Sequence, residues 1–245
     1  MRQWYEITMK GEVAEISVFD QIGAGFFSDG VTAESFKKEL DGVKGASSIR
    51  LLINSPGGSV FDGMAIRNML LEHREKLDVE VFGLAASAAS LIALTGRSLT
   101  MHDGTFLMVH NPMGMTMGNQ HDHQKTAESL ETMATEVARI YEKHSDLDIH
   151  EAQEAMDDET WYTAEQAVEA GFATAVSEEK VAAMINGPGL AILDMSLEAA
   201  QEAWRSWTST GFGRADAVVT PPTQGVEHDQ SASAGPAHGD GVTPE

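Results

Sequence analysis

Cysteine is absent from all 245 residues of this sequence, and that absence removes several kinds of site at once. Disulfide bonds, zinc sites with thiolate ligands and a cysteine nucleophile are excluded. A chain without disulfides fits a reducing compartment, which leads us to expect a cytoplasmic protein. The first 18 residues also lack a basic segment followed by an apolar one, so they show no secretory signal.

Positive charge is scarce in this chain. There are 16 Lys and Arg residues against 38 Asp and Glu residues, which gives a formal net charge of -22 at pH 7. Proteins that bind nucleic acids or anionic membranes need a basic face, so we expect neither kind of partner. The acidity fits a soluble protein in a crowded assembly, with a salt-rich habitat as the main alternative.

Long apolar runs are missing as well. The most apolar stretch, residues 79–96, is short, and Ala, Ser and Gly dominate it. A membrane span needs about 20 strongly apolar residues, so we interpret this stretch as buried core.

What the sequence does contain is an alternation of predicted strands and helices. Apolar runs and polar–apolar alternation predict strands at 13–19, 49–53, 79–82, 99–101 and 106–110. Helical spacing predicts one helix that follows Thr32 and others at 62–76, 86–94, 124–144, 149–156 and 163–170. Strands that alternate with helices indicate βαβ units with parallel pairing, so the expected class is α/β.

The regular pattern weakens after Ser177. Residues 197–207 could form a short amphipathic helix. From Val218 onward, four of the seven prolines lie among Gly, Ser, Asp and Thr, which is typical of disorder. We therefore expect a globular domain at 1–178, a partly helical C-terminal extension at 179–217 and a disordered acidic tail at 218–245.

The segment Gly83–Ser90 lies where a predicted strand gives way to a helix. A serine at such a turn is lifted out of the sheet, and the helix N-terminus places free N–H groups beside it. Those groups can stabilise the oxyanion that forms during peptide hydrolysis. We favour Ser87 as a nucleophile because it lies at the turn itself. Ser90 lies one helical turn further on, where a serine usually bonds its own backbone. The alternative is a helix of small residues selected only for close packing.

Three further segments carry residues that could act with this serine. Asn54–Gly58 ends in paired glycines, which can present bare N–H groups to an oxyanion or a substrate. His110 ends a predicted strand, and the ordinary pKa of histidine suits removal of a serine proton at neutral pH. Asp157, Asp158 and Glu159 offer a carboxylate that could orient the imidazole. Each segment also has a simpler explanation. Asn54–Gly58 could be an ordinary loop, His110 could be a structural histidine, and the three acids could cap the next helix.

A metal site is not expected. His121 and His123 lie close together ahead of a predicted helix, but no third ligand is near them in the sequence.

Four segments, in their order and spacing, resemble the Clp protease family, and in particular its tailed-phage branch of prohead or head-maturation proteases. They are INSPGGSVFDGMAIRNML, VFGLAASAASLIALTG, MVHNPMG and DETWYTAEQAVEAGFA. The similarity covers residues 8–178. It implies an α/β fold of the ClpP/crotonase-like type, with stacked ββα units and a long projecting helix that matches 124–144. Residues 1–178 would then be the peptidase domain.

The resemblance also implies roles for individual residues. Ser87 takes the place of the nucleophile and His110 that of its base. Gly57 and Ala88 take the places of the residues that supply oxyanion N–H groups. No cofactor and no metal are implied.

The acid of the implied triad is the one departure from the family pattern. Its place falls on Glu159, whereas the cellular enzyme has aspartate there. Glutamate is longer by one methylene group, so its carboxylate needs a different rotamer. Asp158 remains an alternative.

The resemblance further implies a ring-like homo-oligomer of unknown subunit number that cleaves protein substrates. Because the segment ahead of the first predicted strand is very short, we do not expect an ATP-driven unfoldase partner. The phage-branch interpretation predicts an ATP-independent serine endopeptidase that cleaves scaffold and capsid proteins. It would act inside assembling proheads in the host cell cytoplasm. The tail after Val218 would suit encapsidation or self-removal.

Three alternatives stay open at this point. The chain could be a general housekeeping Clp-type peptidase, or a catalytically inactive assembly protein of the same fold. It could also be a crotonase-type acyl-CoA enzyme, which shares the fold and an oxyanion hole but needs no Ser–His pair.

Overall fold

The computed structural model describes residues 5–23, 33–178 and 196–209. Its strands are Tyr5–Lys10 (β1), Val13–Phe19 (β2), Ser48–Ser55 (β3), Leu77–Ala86 (β4), Ser98–His102 (β5), Phe106–Val109 (β6), Thr160–Thr163 (β7) and Ala175–Ser177 (β8). Its α-helices are Ala33–Gly42 (α1), Val60–Leu71 (α2), Ala88–Ala93 (α3), Gln120–Lys143 (α4), Ile149–Asp157 (α5), Ala164–Glu169 (α6) and Leu197–Ser209 (α7). A 3₁₀ turn at Arg74–Lys76 follows α2. The predicted disordered tail lies outside the described residues, and so does Thr32, which precedes the first predicted helix.

The strands form one sheet in the order β1-β2-β3-β4-β5-β8, and β6 and β7 extend it beside β4. Strands β2 to β5 pair in parallel, as do β4 with β6 and β5 with β8. Antiparallel pairing occurs only at β1–β2 and β6–β7 within the described ranges. The mixed α/β class predicted from the alternation of elements is therefore confirmed.

Strand β4 changes its partner along its length, and this change builds the site. Its first half pairs with β5, between Asp78 and Val81, and its second half pairs with β6, between Leu84 and Ala86. On its other side the register with β3 shifts between Ile53 and Ser55. The second half of β4 thus leaves the main sheet together with β6 and ends beside it.

The shift in register is stabilised by one buried amide. The side-chain oxygen of Asn54 accepts a hydrogen bond from the Leu84 backbone N–H at 3.2 Å. The Asn54 side chain leaves room only for glycine at position 83, because a Cβ on residue 83 would lie 2.6 Å from the Asn54 side-chain oxygen. Asn54 and Gly83 therefore set the direction in which β4 continues.

Three strands were missed from the sequence, and the shortest of them, β8, has only three residues. Strand β1 forms a hairpin with β2 around Gly11, whose φ of 66° is of the left-handed kind that glycine adopts readily. Strand β7 occupies Thr160–Thr163, where the sequence indicated only acids followed by a helix. Its pairing with β6 joins residues more than 50 positions apart, which no local pattern reveals.

Helix α4 begins before the residue predicted for it. Asn119 caps the helix and Asp122 completes the capping box, so the polar residues ahead of the apolar stripe belong to the first turn. Only Val137, Ala138 and Tyr141 of this helix are buried, all near its C-terminal end. The rest of α4 extends away from the core, as expected for the projecting helix.

Candidate active site

Ser87 occupies the turn between the end of β4 and the start of α3. Its backbone has φ 55° and ψ -125°, and it is one of three described non-glycine residues with positive φ. Its N–H donates to the carbonyl of Met108 on β6 at 3.0 Å, which anchors the turn to the neighbouring strand. A strained turn of this kind costs stability and persists where the surroundings impose it, which is common at functional sites.

The pairing of β4 with β6 brings His110 to this serine. Ala86 lies opposite Met108, so the residues just beyond both strand ends meet at the same edge. The Nε2 atom of His110 lies 2.7 Å from Ser87 Oγ, within hydrogen-bonding distance. Burial lowers the pKa of His110 below its ordinary value, and the Glu159 carboxylate partly opposes that shift. The imidazole is therefore neutral at pH 7 and able to accept a proton.

Glu159 reaches the same edge through β7. Val109 lies opposite Thr160 in the antiparallel pair, and continuing that register places Glu159 opposite His110. Glu159 also has a positive φ of 50°. Its carboxylate acts on His110 through space but does not hydrogen-bond it. Among the described residues, its one hydrogen bond comes from the indole Nε1 of Trp161 at 3.5 Å, which is long.

The other two acids of this segment are placed differently. Asp157 accepts a hydrogen bond from the side-chain amide of Asn111 at 2.6 Å. Asp158 is exposed at the C-terminal end of α5, where its backbone caps the helix. Of the three acids, the charge of Glu159 is the one that bears on His110.

Ser90, the competing serine, is fully buried. Its hydroxyl donates to the Ser87 carbonyl at 2.6 Å and lies 2.8 Å from the Tyr141 hydroxyl. It faces α4 inside the core, so its geometry is that of a packing residue.

The paired glycines approach the serine turn closely. A Cβ at Gly57 would lie 2.8 Å from Ser87 Cβ and 2.9 Å from the Ala88 nitrogen. The Gly57 N–H itself donates to Ser55 Oγ at 3.1 Å. The N–H of Gly58 has no hydrogen-bond acceptor within the described part of the chain. Ala88 is the first residue of α3, a position whose N–H has no acceptor inside its own helix.

Comparison with known proteins places the chain in a family. The family model described as Clp protease matches residues 31–180. The chain is 30% identical over 173 residues to an ATP-dependent Clp protease proteolytic subunit of Bacteroides thetaiotaomicron, covering 65% of this chain and 78% of that protein. A protein of the same name from Bacteroides fragilis is also 30% identical over 173 residues, covering 65% and 83%. The chain belongs to the Clp protease family.

Membership of the Clp protease family makes this protein a serine-type peptidase and agrees with its ClpP/crotonase-like α/β fold. The family match ends at residue 180 and therefore leaves α7 outside it. Within the described ranges, no group of three or more His, Cys, Asp or Glu side chains could hold a metal ion. Across those same ranges, no helix has the length and apolarity needed to cross a bilayer.

A small hollow opens beside the Ser–His pair of this Clp protease. Its lining is mainly apolar and comes from the start of α2, from α3, from the segment after β6 and from α4. Besides Ser87 and His110, the lining residues are Val60, Ala88, Leu91, Pro112, Val137 and Tyr141. Sequence reasoning did not find this hollow, although Val137 and Tyr141 lie within the helix predicted at 124–144.

Sequence reasoning also missed an aromatic contact to His110. The ring of Trp204, on α7, lies 5.1 Å from the imidazole between centroids, with an interplanar angle of 73°. Trp204 lies within the helix predicted at 197–207, but nothing in the sequence connects that helix to the histidine.

Proposed function

We propose that this protein is a serine endopeptidase in which Ser87 is the nucleophile, His110 the base and Glu159 the acid. The observation that carries the proposal is the 2.7 Å contact between Ser87 Oγ and His110 Nε2 at a strained turn. A serine hydroxyl is a weak nucleophile until an adjacent base accepts its proton. This pair supplies that activation.

The geometry supports an acyl-enzyme mechanism. His110 takes the hydroxyl proton as Ser87 Oγ attacks the scissile carbonyl, and the carbonyl oxygen becomes an oxyanion. The protonated imidazole then gives that proton to the leaving amine as the C–N bond breaks. A water molecule, activated by the same histidine, hydrolyses the ester and releases the second product.

The oxyanion would be held by two backbone N–H groups. Ala88 supplies one from the first position of α3, directly after the nucleophile. We assign the other to Gly57, which must first release Ser55 Oγ. Gly58 is the alternative donor because its N–H is already free of acceptors in the described residues.

Glu159 would stabilise the imidazolium formed when His110 takes the proton. Its charge already raises the pKa of His110 against the effect of burial. A rotation of the long glutamate side chain away from Trp161 would be needed for a direct hydrogen bond. Asp158 is disfavoured by its exposed position at the end of α5.

The hollow lies where the substrate would meet the Ser–His pair, and Val60, Leu91 and Val137 give it uncharged walls. Its volume of about 10 Å³ is that of one water molecule, so it would have to widen to take a substrate side chain.

At the level of biology, we assign the protein to prohead maturation, as an ATP-independent ring-like homo-oligomer that cleaves scaffold and capsid proteins. The four motif segments that resemble the tailed-phage branch support this assignment. The second candidate is a housekeeping peptidase, and the ATP-dependent naming of both Bacteroides relatives favours it. The two differ in whether degradation of folded substrates requires an added ATPase.

Labelling with a fluorophosphonate probe tests the chemistry. Wild type should label, Ser87→Ala should not, and Ser90→Ala should label as long as it remains folded. Loss of labelling only in Ser90→Ala would move the nucleophile to that residue. No labelling of folded, assembled wild type would favour an inactive assembly protein or an acyl-CoA enzyme instead.

A further inference from the structure

Helix α7 packs directly on the strands that carry the catalytic residues. Side chains alternate along β4 and β6, so Ala85 and Leu107 face the main core while their neighbours face the opposite side. That opposite side forms a second buried cluster with α7, made of Leu84, Ala86, Phe106, Met108, Trp161, Ala200 and Trp204. The covered face is the part of the sheet that ends at Ser87 and His110.

The aromatic residues of this cluster contact both the base and the acid. Trp204 is only 3% exposed, and its ring lies against the His110 imidazole. Its ring centroid also lies 6.5 Å from that of Trp161, in an edge-to-face arrangement. Trp161 in turn donates its long hydrogen bond to Glu159. One aromatic group on α7 is therefore linked to two members of the proposed triad.

The imidazole needs such a contact because its other restraint is missing. In a complete triad, the acid fixes the ring by a hydrogen bond at Nδ1. In the described structure His110 hydrogen-bonds only to Ser87, through Nε2. The ring would be free to turn about its side-chain torsions if nothing packed against it. Edge-to-face aromatic packing restricts that motion.

Trp204 does this without occupying the hollow beside the nucleophile. The hollow is lined from the α3 and α4 side by residues such as Leu91 and Val137, and Trp204 is not among them. It packs instead with the cluster that includes Met108 and Trp161. An obstructing lid would lie in the hollow, whereas a support lies against the ring outside it.

We propose that Trp204 is a positioning residue of this peptidase, which holds the His110 imidazole in the orientation that bonds Ser87. Helix α7 is then a working part of the active site, although it lies beyond residues 31–180 that match the family model. The proposal rests on the proposed Ser87–His110 chemistry.

The test compares Trp204→Ala and Trp204→Leu with Trp204→Phe and with the control Glu202→Ala. Leucine keeps apolar volume but removes the ring, and phenylalanine keeps a ring. Glu202 is exposed on the same helix. Hydrolysis of a peptide ester and the NMR titration of His110, assigned with His110→Gln, are measured in each folded variant.

We expect Trp204→Ala and Trp204→Leu to lower kcat by roughly tenfold to a hundredfold, with KM changed by less than about twofold. The pKa of His110 should rise in Trp204→Ala, because solvent reaches the ring and relieves the burial that lowers it. Trp204→Phe should recover most of the kcat, and Glu202→Ala should match wild type.

The proposal is overturned if Trp204→Leu, folded as judged by its melting temperature, keeps wild-type kcat. It is equally overturned if removal of the ring increases kcat, because α7 would then be an obstructing lid. The proposed peptidase activity can fail separately. If the wild-type protein does not react with the fluorophosphonate probe, but the pKa of His110 still rises in Trp204→Ala, the peptidase activity is refuted while the contact between Trp204 and His110 stands.

Discussion

At the scale of a single residue, the electrostatics of His110 would set the pH range of the proposed catalysis. Burial is the larger effect and lowers its pKa, and the Glu159 carboxylate acts in the opposite direction. A base works only when neutral, so activity should persist below the ordinary histidine pKa of about 6.5. The acid limb of kcat/KM, which reports the free enzyme, should have its midpoint below that value.

Removal of the Glu159 charge should shift the midpoint of the acid limb to still lower pH. Glu159→Gln deletes the one influence that raises the pKa of His110, so its neutral form should survive to still lower pH. The same change should lower kcat by roughly 10²-fold, less than the ~10⁴-fold known for an acid that is hydrogen-bonded to its histidine. The pH profile of peptide hydrolysis measures both effects.

Asp158→Asn serves as the matched control for that experiment. Because Asp158 is exposed and caps α5, its loss should leave the acid limb and kcat unchanged. If the midpoint of the acid limb shifts in Asp158→Asn and does not shift in Glu159→Gln, Asp158 takes the role of the acid.

How far the site could be predicted depends on the range of the interactions that build it. Ser87 and its turn were predictable, because small residues between a strand and a helix form a local signal. The approach of Glu159 to His110 was not, because it requires the β6–β7 pairing of distant segments. The resemblance supplied the role of Glu159 but not its contact with Trp161.

At the scale of elements, the central feature is the loop between β3 and α2, which presses against the serine turn. Asn54 and Gly83 direct the second half of β4 towards β6, and Gly57 then meets the end of that strand. The strands β1, β7 and β8 were not predicted, since each depends on a partner strand rather than on its own periodicity. The other parallel strands were found because buried strands leave compact apolar runs.

The close approach of this loop predicts the effect of Gly57→Ala. The added Cβ would lie 2.5 Å from the Ala86 carbonyl oxygen, and Gly57 has a φ of 89° that other residues rarely adopt. The loop must therefore move away from Ser87 and carry an oxyanion donor with it. We expect kcat to fall by roughly 10²-fold or more, as when one oxyanion donor is lost.

Gly45→Ala is the control for that substitution, because a Cβ at Gly45 meets nothing within 4 Å and its φ is not positive. It should keep wild-type kcat and melting temperature. Wild-type kcat in Gly57→Ala would show that the loop yields without disturbing the oxyanion, and would refute its proposed role.

At the scale of the whole molecule, charge opposes the assembly that we propose. Each chain carries a formal net charge of -22, so copies brought together in a ring repel one another at neutral pH. The interface must overcome this repulsion through apolar contact and specific pairing. Exposed apolar side chains such as Phe61 and Met115, 75% and 77% accessible, are available for such contacts.

Salt should therefore strengthen the oligomer. Raising the ionic strength from about 0.05 M to about 0.5 M shortens the Debye length well below the size of a subunit and screens the repulsion. Sedimentation velocity at a fixed protein concentration should show the assembled fraction increasing over this range. If salt instead dissociated the oligomer, ion pairs between opposite charges would have to hold the interface together. The excess acidic residues would then lie on surfaces outside the interface. A monomer at every salt concentration would remove the ring from the proposed function while leaving the Ser87–His110 chemistry to its own test.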